Sequence, residues 1–280
     1  MTWWNDLWLN ESFATYVSFY CMDQIPKMKE QMPSIWVTLG QYKNWAYATD
    51  ELHTNHPIAK DAPHTDSAQD MINGITYGKG CSFLKQLMHL IGHDSFSQAC
   101  TLYFSRYKWK NTVLDDFLDC LSESVNPTQL PFDIKEWCKT FLNTKGVNTL
   151  QLQKRGGEYS LVQIVGEFSD GLRDQKIDLA CISGSNVNVQ TYFLKSDQEE
   201  INVGKLDKKA AYIVNYGDHA YCKVLLDDHS AEILSKNLSD MPDTLTRAGV
   251  WRSVQAMVKA CKIKSPLFLE YVYNNLEAED

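Results

Sequence analysis

Along the first half of the chain, apolar residues recur with the period of a helix. In ESFATYVSFYCM, Phe13, Tyr16, Val17, Tyr20 and Cys21 fall at i, i+3, i+4, i+7 and i+8, one face of an amphipathic helix. Tyr77, Cys81, Leu84, Met88 and Ile91 repeat the pattern. Asp94 is placed to cap a third helix, and Thr112, as Thr-x-x-Asp, a fourth that carries Leu114, Phe117, Leu118 and Leu121. Another runs through Ile134, Trp137, Phe141 and Leu142, with Gly146 as its stop. The stretch from Asp50 to Asn73 is polar, rich in His, Thr and Asp, and reads as a long loop.

Near Asn148 the period changes to two. LQLQ, a Gly156-Gly157 turn, YSLVQIV, KIDLACI, VNVQTYFL, AAYIVNY, a Gly217-Asp218 turn and YCKVLL form a succession of short strands. Such a succession predicts a small antiparallel β-sandwich. After Asp227 and Asp228 the helical period returns, through Ile233, Leu234 and Leu238 and then Val250, Trp251, Val254 and Met257. The expected class is α+β and multidomain, with divisions at 1–147, 148–228 and 229–280.

Composition narrows the function classes. Hydrophobic residues make up 44% and charged residues 22%, as in an ordinary folded protein. A net charge of −8 argues against a nucleic-acid partner, which calls for clustered Lys and Arg. No apolar run is long enough for a transmembrane segment, and the N-terminus has no signal-peptide pattern. The eight cysteines are scattered singly without a C-x-x-C pair, which predicts reduced thiols and a cytoplasmic protein.

Candidate chemistry is sparse when residues are taken one at a time. Glu11 lies near the start of a helix, where the macrodipole alone is reason enough for an acidic residue. Tyr77 sits among the glycines of NGITYGKG, either as a core tyrosine or with its hydroxyl in a cleft. His89 and His93 have the i, i+4 spacing of a metal pair, but no glutamate follows His89 and Gly92 suggests that the helix ends there. His53 and His56 make a loop pair with no third ligand nearby, a poor zinc site. His64, His219 and His229 are isolated, and there is no G-x-S-x-G elbow or phosphate-binding glycine loop.

Three stretches carry a family resemblance. WWNDLWLNESFATYV closely resembles the segment that follows the zinc-binding helix in the gluzincin aminopeptidases of the aminopeptidase N and puromycin-sensitive aminopeptidase family. TNHPIA and NGITYGKGCSFLKQL resemble that family's T-x-H-P-I and I-S-Y-x-K-G motifs, and within the family the chain looks nearest to the bacterial-type cytosolic branch. The resemblance implies a zinc metallo-aminopeptidase that removes N-terminal residues from peptide substrates by zinc-activated water. It makes Glu11 the third zinc ligand and Tyr77 the donor that stabilises the oxyanion, and it assigns no residue to an organic cofactor. Ser12 stands where the family usually has glycine.

The same resemblance implies that residues 1–147 are the helical later part of a thermolysin-like catalytic domain. Residues 148–228 would then be the β-sandwich and 229–280 the start of a solenoid-like helical domain. No H-E-x-x-H occurs in the 280 residues, and Met1 to Trp4 align with an internal M-x-W-W of the family. The expectation is therefore a truncated family member, with Trp3, Trp4 and Trp8 shaped for burial against parts absent from it. One ligand of three would not retain Zn²⁺, so the chain alone is expected to be inactive. Two other readings stay open: a non-catalytic binding module, or half of a split enzyme completed by a separate N-terminal half.

Overall fold

In the computed structural model, which describes residues 1–31, 34–241 and 243–279, the chain divides into two units. The first comprises Met1–Val147 and Gly166–Arg173, and the second Asn148–Val165 and Asp174–Asp280. The whole is mixed α and β, with helices and two small sheets. Among the described residues no helix is long and apolar enough to cross a membrane.

The helices of the first unit are α1 (Leu7–Gln24), α2 (Pro26–Gln31), α3 (Ile35–Asp50), α4 (Thr65–Gln69), α5 (Gly80–Ile91), α6 (His93–Tyr107), α7 (Leu114–Ser124) and α8 (Ile134–Asn143). A single π-helical turn, Ile75–Lys79, leads directly into α5. Helix α5 is the centre of the unit. Its sequence predicts one apolar stripe, yet Phe83 and Leu87 are as fully buried as Cys81 and Leu84, as expected for a helix with neighbours on every side. Trp8 of α1 meets Phe83 edge-on at 5.8 Å, and Trp137 and Phe141 of α8 pack on the same ring at 5.7 and 5.4 Å.

The N-terminal tryptophans and two helix caps differ from the expectation drawn from the sequence. Trp8 is fully buried within the unit and Trp4 packs against Leu7, Ala62 and Met71. Of the three N-terminal tryptophans only Trp3 stays open, 47% exposed, with its indole N–H bonded to the Ala62 carbonyl at 2.5 Å. Asp94 does not cap α6; the chain breaks at Gly92 (φ +84°), and Asp94 lies in the first turn that follows. Helix α7 starts one residue later than Thr112 would cap it. Val113 occupies the cap position, its N–H donates to Asp116 at 2.9 Å, and the Thr112 hydroxyl pairs instead with the Tyr103 hydroxyl.

The strands of the second unit are β1 (Thr149–Arg155), β2 (Glu158–Ile164), β3 (Gln175–Ser183), β4 (Asn186–Leu194), β5 (Glu200–Gly204), β6 (Ala211–Val214) and β7 (Lys223–Leu225). They form a four-stranded sheet in the order β5-β2-β1-β7 and a three-stranded sheet in the order β4-β3-β6. All pairings are antiparallel except β1 with β7, which is parallel, so the purely antiparallel expectation fails at that edge. Leu150, Leu152 and Leu161 of one sheet share a core with Ile177, Leu179, Tyr212 and Val214 of the other.

Alternate residues of β3 and β6 point the opposite way. Ala180, Ile182, Ala211 and Ile213 form a second core with Leu234, Val250, Val254 and Tyr271 of helices α9 (Asp228–Asn237), α10 (Thr244–Lys259) and α11 (Ser265–Asn275). Both faces of β3 and β6 are therefore covered, and β6, buried at every position, reads as a continuous apolar run, while the outer strand β4 is largely exposed.

Candidate functional site

Helix α1 presents Glu11, and the π-helical turn presents Tyr77. Both side chains are half-buried, and the Glu11 carboxylate lies close enough to the Tyr77 phenol to act on its ionisation. Burial pushes the phenol above its ordinary value, and the Glu11 carboxylate pushes the same way, so at neutral pH the hydroxyl keeps its proton and remains a donor. Among the described residues no lysine or arginine pairs with Glu11. The carboxylate thus has a neutral phenol beside it and, among the described residues, no compensating cation.

The structure brings these two residues together through their chain neighbours. Ser12, next to Glu11, is fully buried and its hydroxyl donates to the carbonyl of Thr76, next to Tyr77, at 2.7 Å. A Cβ on Gly80 would lie 2.0 Å from the Ser12 Oγ, so the serine occupies the space that this glycine leaves. Ser12→Ala leaves the buried Thr76 carbonyl without that donor and is expected to cost about 1–2 kcal/mol. Urea unfolding midpoints of the two forms check this; equal midpoints would remove the clamp from the account.

The other side of the turn lies against α3. A Cβ on Gly74 would come within 2.7 Å of the Trp45 carbonyl, and one on Gly78 within 2.2 Å of the Tyr42 carbonyl oxygen. These two glycines let the turn rest on the α3 backbone itself. That approach sets the Trp45 ring almost parallel to Tyr77, with centroids 6.2 Å apart and planes 12° apart. Trp45 is 46% exposed, so the stack forms a partly open aromatic wall beside the phenol. A π-turn of this kind frees backbone groups from the regular ladder and is common at functional sites.

Beneath the turn is a buried ion pair. Lys79 Nζ lies 2.8 Å from an Asp50 carboxylate oxygen, and neither side chain touches solvent. The ammonium also donates to the carbonyls of Thr144 and Gly146, at 3.3 and 3.1 Å. Asp50 in turn accepts the Gly146 N–H at 2.8 Å, and Arg173 donates to the Gly146 carbonyl at 2.9 Å. Burial, reinforced by the Arg173 charge, pushes the ammonium down to about 7, against the pull of Asp50.

The histidines do not assemble around Glu11 and Tyr77. His89 and His93 are separated by the break at Gly92 and do not share a helix; His93 is exposed and pairs with the Tyr20 hydroxyl at 2.7 Å. His53 packs edge-on to Phe168 at 4.6 Å. His56 is buried, with both ring nitrogens engaged by protein groups. Ser12, Trp45, Asp50 and Lys79 are parts of the site that residue-by-residue reading missed; the only signal for any of them is the close glycine spacing of NGITYGKG.

The helical unit thus sets a carboxylate and a protonated phenol side by side on clamped elements, and comparison with known proteins places it in a family. Residues 1–141 match the Peptidase family M1 domain. The chain belongs to peptidase family M1, the metallo-aminopeptidases. It is 32% identical over 302 residues to aminopeptidase N of Streptomyces lividans, covering all of this chain and 34% of that protein. It is 26% identical over 231 residues to probable aminopeptidase 2 of Sulfurisphaera tokodaii, covering 78% of this chain and 28% of that protein. With tricorn protease-interacting factor F2 of Thermoplasma acidophilum it shares 25% identity over 283 residues, covering all of this chain and 34% of that one. The chain thus spans about a third of the length of these relatives.

Proposed function

We propose that this segment supplies one metal ligand, Glu11, and one oxyanion donor, Tyr77, to the active site of a zinc aminopeptidase. The observation that carries the reading is the Ser12–Thr76 hydrogen bond, which clamps together the two elements that carry Glu11 and Tyr77 and sets the carboxylate close to the phenol. Glu11 fits a zinc ligand. It is a carboxylate oxygen donor, half-exposed, with no ion pair among the described residues that would have to be broken first. The two histidines of an H-E-x-x-H, and its general-base glutamate, are not among these 280 residues and would come from outside this segment.

When bound, zinc supplies a Lewis acid and an activated water at neutral pH. The work of this chain is positional and electrostatic. Glu11, on α1, would be the ligand this chain offers to the metal. Tyr77, kept protonated, is aimed at the oxygen on which negative charge develops as the peptide carbonyl becomes tetrahedral, where a preorganised donor is worth most. The Ser12–Thr76 bond and the Trp45 stack hold the phenol in place, so little reorganisation accompanies the reaction.

On the same reading, residues 1–147 are the later part of a thermolysin-like catalytic domain, 148–228 a β-sandwich and 229–280 the opening of a helical domain. The substrates are peptides with a free N-terminus. The test is hydrolysis of aminoacyl arylamides by a polypeptide that joins this segment to the H-E-x-x-H helix, as wild type, Glu11→Gln and Tyr77→Phe. The proposal expects hydrolysis by the first and severe loss in both variants; undiminished hydrolysis in either variant would refute the role given to that residue.

A further inference from the structure

His56 forms the start of a hydrogen-bond chain that runs to the turn carrying Tyr77. Its Nδ1 lies 2.7 Å from the Pro57 carbonyl oxygen, which can only accept, so Nδ1 carries the proton. The other nitrogen, Nε2, lies 2.8 Å from Nδ2 of Asn73 and must then accept from that amide. The same amide nitrogen donates to the Asp70 carbonyl at 3.0 Å, which fixes the orientation of the side chain. Asn73 Oδ1 consequently faces the chain ahead and accepts the Ile75 N–H at 2.8 Å, while the Asn73 carbonyl accepts the Tyr77 N–H at 3.2 Å. Every donor in the chain has one acceptor, and the arrangement holds for a single tautomer of a neutral imidazole.

We infer that His56 is a positioning residue for Tyr77, acting through Asn73, whose two amide ends tie the buried imidazole to the first N–H of the π-helical turn. The inference rests on the oxyanion role proposed for Tyr77. His56 is not a zinc ligand in this arrangement, because both of its nitrogens are already committed. A second proton on Nε2 would set two N–H groups against each other and break the chain. The surroundings keep that proton off. Burial pushes the imidazole below its ordinary value, Lys60 and Lys79 add to the effect, and the Pro57 hydrogen bond and Asp50 oppose it.

The test uses the polypeptide that joins this segment to the H-E-x-x-H helix, as wild type, Asn73→Ser, Tyr77→Phe and the double variant. Serine keeps an oxygen for the Ile75 N–H and so preserves the local turn, but it is too short to reach His56. Asn73→Ser should lower kcat about 10-fold with KM nearly unchanged, and should cost nothing further once Tyr77 is phenylalanine. Nitrogen-15 NMR of the His56 ring should show the neutral Nδ1–H form at pH 7 and, in Asn73→Asp, the doubly protonated ring that a carboxylate partner demands. An equal loss of kcat from Asn73→Ser in both backgrounds, with Tyr77→Phe itself impaired, would overturn this inference and leave the functional reading standing. So would an Nε2–H ring in the wild type. Full turnover in Tyr77→Phe would overturn the functional reading and this inference together.

Discussion

Tyr77→Phe is expected to reduce turnover by about 10²–10³-fold in a polypeptide that holds the complete site, with the substrate KM little changed. Removing one preorganised donor to a developing oxyanion typically costs that much, because the interaction is stronger in the transition state than in the ground state. Phenylalanine keeps the ring that stacks on Trp45, so the wall of the site and the fold of the turn survive. Glu11→Gln should be at least as damaging for a different reason: a neutral amide is a poor ligand for a dication, so the loss appears in metal affinity as well as in turnover. Stopped assays at saturating arylamide, with zinc content measured on the same samples, separate the two effects.

The largest effect on folding is expected at Asp50. Asp50→Ala leaves Lys79 in a site with no solvent access, where it must either keep an unpaired charge or give up its proton, and removes the acceptor of the Gly146 N–H. Breaking a buried pair from one side costs about 3–5 kcal/mol, because the surviving charge keeps its desolvation penalty without its partner. A paired change, Asp50→Leu with Lys79→Met, should recover much of the loss, since apolar groups of similar size replace such pairs at little cost. Chemical unfolding of wild type, single and double variants gives the comparison. A single variant as stable as the wild type would mean that Lys79 is discharged or otherwise satisfied when Asp50 is gone.

The helices were legible where one residue type repeats with one period. The stripe from Tyr77 to Ile91 marks α5, and only the burial of Phe83 and Leu87 between those positions shows that the helix is central. Strands β3 and β6 were legible from their β-branched and aromatic runs. Strand β5 was not, because Glu200 and Asn202 alternate with Ile201 and Val203 at a sheet edge too short to carry a pattern. Caps were placed only approximately, since Thr112 and Val113 can each begin α7 and tertiary contact of Thr112 with Tyr103 decides between them.

The candidate site was legible only through resemblance. Glu11 and Tyr77 are far apart in sequence, and each has an ordinary structural reason to exist. Spacing does not reveal that Ser12 clamps Thr76, that Trp45 lies along Tyr77, or that the lysine of NGITYGKG turns inward to Asp50. Those facts arise from packing between α1, α3 and the turn, and local sequence carries no record of which helix faces which. His56 shows the same limit from the other side. As one of two histidines in HTNHP without a third ligand nearby it is a poor metal site already by spacing, and its two hydrogen bonds show what it does instead.

The central claim is that the carboxylate of Glu11 binds metal, and zinc affinity tests it most directly. Competition against a chelator of known strength should be run on the polypeptide joining this segment to the H-E-x-x-H helix, as wild type, Glu11→Gln and Tyr77→Phe. Glu11→Gln is expected to weaken zinc binding by about 100-fold or more, while Tyr77→Phe should bind it as tightly as the wild type does. Equal zinc affinity in Glu11→Gln and wild type would contradict the claim.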